Sequence, residues 1–121
     1  MKKPYSKEKL VKVKKIILEC VEEVRASGIA ITPRTWGITF RRNKWVSTGV
    51  YCCPGGAVCL MRKPKYCGIF ASLARVLKVD LDFVDGFVSG IDDDNKTSSE
   101  NPHLLQGWKL GQSIRAKVWK T

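Results

Sequence analysis

The chain carries one histidine, His103, among its 121 residues. That scarcity rules out chemistry built on paired imidazoles and leaves a cysteine nucleophile a single candidate base. Long apolar runs are missing too. The longest, around IILECV and GGAVCLM, fall far short of the roughly 20 residues that span a bilayer. After the opening MKK comes PYSKEKL, where a signal peptide requires an apolar core. The expectation is a cytoplasmic protein with no membrane partner and no cofactor.

Acidic residues are absent from 25 to 79, a stretch that holds ten Lys or Arg. Residues 80–101 hold seven acids and one lysine, and the net charge of the whole chain is +11. Segregation of this kind implies a polarised surface potential whatever the fold. Either the acidic block lies against the basic surface and neutralises part of it, or a positive face stays open for an anionic partner.

The length fits one domain, 1–121, with a core that needs no staples. Ser6 can cap an N-terminal helix over 6–27, in which Leu10, Val13, Ile17, Cys20 or Val21, and Val24 recur at helical spacing. Residues 36–48 read as a β-hairpin: Ile38 and Phe40 alternate with Thr39, RRNK turns, and WVS returns. Trp36, Phe40 and Trp45 are its expected packing residues. Pro54 suits the first turn of a helix with Cys53 as N-cap, and helices then fill 54–90. Their apolar stripes are Phe70, Leu73, Ala74 and Leu77, then Leu81, Val84, Phe87 and Val88. Residues 91–101 read as a mobile acidic loop and 102–120 as a C-terminal helix, with Leu104 or Leu105, Trp108, Ile114 and Val118 inward. The fold class is α+β and α-dominant: about five helices and one small hairpin in a single compact domain.

Cysteine number five is odd, and in a reducing compartment free thiols are the default. Cys20 reads as a small buried hydrophobe. Cys52, Cys53, Cys59 and Cys67 crowd into sixteen positions, but their spacing lacks a CxxC pair or a nearby histidine, which argues against zinc. A thiol enzyme would use Cys53 at the helix start, activated by Arg41, Arg42 and Arg62, with His103 as base. A third reading is an anion seat, since free N–H groups approached through Gly55 and Gly56 suit a phosphate. The plain alternative is favoured: small residues let this turn pack closely.

Residues 73–87 resemble the helix-turn-helix of DNA-binding regulators, but the would-be recognition helix, DLDFVDGFV, has three aspartates and no cation. It would repel phosphates, so a helical hairpin is the better reading. Gly86–Gly90 and Gly107–Gly111 are spaced as GxxxG, which suggests close helix–helix approach. The hairpin, CCPGGA and FVDGFVSGID, followed by a Gly-containing basic helix, together resemble a group of small uncharacterised bacterial proteins over about residues 36–120. No activity comes with that resemblance.

The function expected first is a non-enzymatic binding protein whose positive face takes nucleic acid or a phosphorylated small molecule. Arg41, Arg42, Lys44, Arg62, Lys63 and Lys65 would carry it, with Gly55 and Gly56 as the anion seat and Trp45 and Tyr66 for stacking. The alternative is a protein-interaction or self-assembly module, a homo-oligomer joined by basic-to-acidic contacts. A thiol-dependent enzyme ranks last.

Overall fold

Ser6 opens the first helix as the sequence predicts, its hydroxyl accepting from the Lys9 N–H at 3.1 Å. The computed structural model of the chain describes residues 3–92 and 100–119. Helix α1 is Lys7–Ala26, and its stripe of Val13, Ile17, Cys20, Val21 and Val24 is buried. The chain reverses at Gly28, whose φ of 92° is open to glycine at little cost. Strand β1 (Ala30–Ile31) follows, then β2 (Ile38–Arg41), β3 (Lys44–Ser47) and β4 (Tyr51–Cys52). The hairpin pairs β2 with β3, antiparallel, with Phe40 opposite Trp45. The sequence reading has no counterpart to a second pairing: β1 runs parallel to β4, Ala30 beside Tyr51 and Ile31 beside Cys52. Two-residue strands have no periodicity to read.

Helix α2 is Pro54–Arg62, α3 is Ile69–Leu77, α4 is Leu81–Asp92 and α5 is Pro102–Val118. The fold is therefore α+β and helix-dominant, as expected. Of the eight expected α3 and α4 stripe positions, Leu73, Leu77, Val84 and Phe87 are fully buried and Ala74 and Val88 half-buried, but Leu81 is 56% exposed and Phe83 takes its place inside. Asp80 explains the shift. It caps α4 through Phe83 N–H, and Leu81 in the first turn faces away from the core. Ile91 and Asp92 belong to α4, so the expected loop over 91–101 begins later; its central residues 93–99 lie outside the described residues.

The tightest packing joins α4 to α5. A Cβ added at Gly86 would stand 2.0 Å from the Leu104 carbonyl oxygen, and one at Gly107 would stand 2.0 Å from that of Phe83. Gly90 and Gly111 are in the same position against Trp108 and Phe87, at 2.3 and 2.4 Å. Both GxxxG pairs thus bring backbone onto backbone, which offsets the cost of about 1 kcal/mol that each interior glycine carries. The two helices run the same way. Asp82 near the start of α4 meets Asn101 at the start of α5, while Gly90 and Ile91 receive hydrogen bonds from Gln112 and Arg115. Because the glycines occupy this seam, Leu110 and Ile114 supply the buried apolar bulk of α5 and Trp108 is only half-buried, a correction to the expected inward set.

Candidate functional site

CCPGGA forms the packed turn that the plain reading favours. Pro54 stands in the first turn of α2, and the N-cap Cys53 accepts from the Gly56 N–H at 3.4 Å through its sulfur. A Cβ on Gly55 would lie 2.6 Å from the Trp36 ring, and one on Gly56 would lie 2.2 Å from the Trp36 carbonyl oxygen. Gly55 and Gly56 are buried, so the expected anion seat is filled by the protein itself. Beside this turn is a cavity of only about 40 Å³, walled by Trp36, Cys53, Phe87 and Ile91 and flanked by Arg34 and Asp92. It has room for a few waters, not for a substrate.

The thiols are poor nucleophiles. Burial pushes the Cys53 pKa up to about 12, against the opposing pull of the Gly56 and Gly55 N–H groups. Burial likewise raises Cys59 to about 12 and Cys52 to about 11. The helix start and nearby arginines therefore do not produce the reactive thiolate that the enzyme reading needs. His103 is committed elsewhere: Nδ1 faces Asp80 Oδ2 at 2.5 Å, Nε2 faces the Lys3 carbonyl at 2.7 Å, and the ring stacks on Tyr5 at 4.0 Å. This junction ties the segment before α1 to the starts of α4 and α5. All five cysteines are free, and among the described residues no group of three or more His, Cys, Asp or Glu gathers as a metal site would require.

The cations divide. Arg62 reaches Glu19 at 3.2 Å and hydrogen-bonds the Cys20 sulfur, so it ties α2 to α1 rather than standing free. Arg41, Arg42, Lys44, Lys63 and Lys65 are exposed, and among the described residues they make no ion pair and no side-chain hydrogen bond. Among the described residues no acid pairs with these cations, and three acids are engaged elsewhere. Asp80 caps α4, Asp82 accepts from Asn101 at 2.9 Å, and Asp92 holds the Arg34 N–H at 3.0 Å.

Of the two expected stacking residues, Trp45 is corrected: it is 6% exposed, edge-on to Phe40 at 5.2 Å, and offers no ring face to a ligand. Its position opposite Phe40 turns it onto the helices, and its indole N–H is buried without a partner among the described residues. Tyr66 is 42% exposed, with the Arg75 guanidinium 3.9 Å above its ring. Phe70, assigned to the core by its spacing, is 37% exposed at the start of α3.

Two features escaped the sequence reading. Lys9, Lys12 and Lys78 form a second basic cluster, in which partial burial first, and then the charges of Lys78 and Lys12, lower the Lys9 pKa. The i,i+3 spacing of Lys9 and Lys12 was the available signal; Lys78 joins them only through the fold. Second, Arg34, Arg42, Lys63 and Lys78 all adopt positive φ, between 51° and 65°. At Lys63 and Lys78 a preceding helix end favours a cation. Arg42 shares the hairpin turn with Asn43 and has no such compensation.

Among the described residues no helix is long and apolar enough to cross a membrane. No protein-family model, no curated protein and no solved structure matches this chain.

Proposed function

We propose that this protein binds the phosphate backbone of nucleic acid through the cations of the hairpin turn and of the α2–α3 connection, without sequence-specific reading of bases. One observation carries the reading: among the described residues Arg41, Arg42, Lys44, Lys63 and Lys65 are exposed and unpaired, while Asp80, Asp82 and Asp92 are occupied within the fold. Five uncompensated cations repel one another, and a polyanion relieves that repulsion while releasing its own counterions. A small phosphorylated ligand fits less well. Such ligands need concavity, and none of these five cations lines the cavity beside Cys53 or the grooves along α1. An exposed turn suits an extended partner. The acidic α4 stays out of the interface, since its Asp82, exposed Asp85 and Asp92 repel phosphate.

Fluorescence anisotropy with a labelled 20-nucleotide strand and its duplex, at 50 and 200 mM salt, tests this. Binding at low salt that weakens by at least about tenfold at the higher salt is expected for three or more phosphate contacts. No binding to either at 50 mM salt refutes it.

A further inference from the structure

The α2–α3 connection and the first turns of α3 put aromatic surface beside the free cations. Tyr66 and Phe70 are both exposed, and each ring is braced by a neighbour. Arg75 lies 3.9 Å over the Tyr66 ring, and Trp36 meets Phe70 edge-on at 6.0 Å and 64°. Gly68 and Ala71 are exposed, and a Cβ on Gly68 would stand 3.8 Å from that of Ala71. The backbone is held as well: the buried Ser72 hydroxyl donates to the Tyr66 carbonyl at 2.9 Å. Lys63 and Lys65 precede Tyr66 in the chain, and Arg75 and Lys78 continue the exposed side of α3.

Rings exposed to water in a braced geometry lose little freedom when a base stacks on them, and cations alongside meet the phosphates that come with each base. An arginine plane on a tyrosine extends the stacking surface further. Duplex bases are stacked on one another and present only edges and backbone, so a platform of this kind discriminates for unpaired strands. An apolar protein partner suits the site less, because Arg75 lies on the Tyr66 ring and Lys63 and Lys65 precede it in the chain. We propose that Tyr66, Arg75 and Phe70 form a base-stacking platform that makes this protein a single-strand nucleic-acid binder. This deepens the reading of the preceding subsection and rests on it.

The test compares a labelled 15-nucleotide single strand with the matching duplex at one fixed salt, for the wild type, Tyr66→Leu/Phe70→Leu, and Phe70→Trp. All substitutions are at exposed positions, and circular dichroism confirms that each variant is folded. The single strand is expected to bind at least tenfold more tightly than the duplex. The double substitution is expected to weaken single-strand binding by roughly five- to tenfold per ring and leave duplex binding unchanged. Phe70→Trp, which keeps an aromatic face, is expected to retain wild-type affinity for the strand. Equal affinity for strand and duplex, or a double variant that binds the strand as well as wild type, overturns the platform while leaving phosphate binding intact. Absence of binding to both forms overturns the two together.

Discussion

Replacing Gly107 with alanine should destabilise the protein, although alanine is the better helix former. The new methyl would lie 2.0 Å from the Phe83 carbonyl oxygen and 2.9 Å from the Phe87 nitrogen, both backbone atoms that cannot rotate aside. Ordinary contact begins at 3.4 Å, so α4 and α5 would have to part by about 1.4 Å at that point. Overpacking of this kind costs about 1–3 kcal/mol where side chains absorb it, and backbone against backbone belongs at or above the upper end. The helical preference of alanine returns about 1 kcal/mol. The net loss is about 2 kcal/mol or more, which for a chain of this length lowers the melting temperature by roughly 6–10 °C. Gly49→Ala is the control, because no atom lies within 4 Å of a Cβ there, and it should change stability by less than about 0.5 kcal/mol. Thermal melts followed by circular dichroism compare the two. A Gly107→Ala protein as stable as wild type would mean that the helices do not meet through their backbones.

Thiol titration of the native protein at pH 8 should find Cys67 reacting at once, since it is exposed, and the four buried cysteines only on unfolding. The raised pKa values of Cys52, Cys53 and Cys59 also carry a sign: the unfolded thiols ionise first, so their contribution to stability is complete below about pH 9 and falls as pH rises from 9 to 12. Denaturant melts at pH 8 and 10 check this, and equal stability at the two would contradict it. Arg42→Gly should stabilise the fold by about 0.5–1 kcal/mol, because φ of 51° strains arginine more than the extra chain entropy of glycine costs. The same variant should bind nucleic acid more weakly, and a stable variant with undiminished affinity would detach Arg42 from the interface.

Features set by a few adjacent residues could be read directly. The Ser6 cap, the α1 stripe, Pro54 behind its Cys53 cap and the RRNK turn all depend on local chemistry, and each stands where the sequence puts it. The GxxxG pairs announced a close approach but not its direction, because the spacing is the same for parallel and antiparallel helices. What failed was the stacking role given to Trp45, whose expected packing role holds, and the core place given to Phe70. Trp45 and Phe70 both sit at positions that spacing alone leaves open. Which one is covered depends on how the hairpin lies on α2 and how Trp36 meets the start of α3. The same limit hid the β1–β4 pairing and the gathering of Lys78 with Lys9 and Lys12, which are long-range contacts. The free cations were legible as a charge imbalance. Their freedom was not, since it rests on where Asp80, Asp82 and Asp92 spend their hydrogen bonds.

The most direct measurement is the salt dependence of single-strand binding for the wild type and for Arg41→Ala/Arg42→Ala/Lys44→Ala. Plotting log K against log salt counts the phosphates neutralised, at a slope of about −0.7 for each on a single strand. If the hairpin turn grips the backbone, the wild type gives a steep negative slope and the triple variant a slope shallower by about 2, with weaker binding at every salt concentration. Identical slopes for the two proteins would contradict the account, because the cations it names would then touch no phosphate.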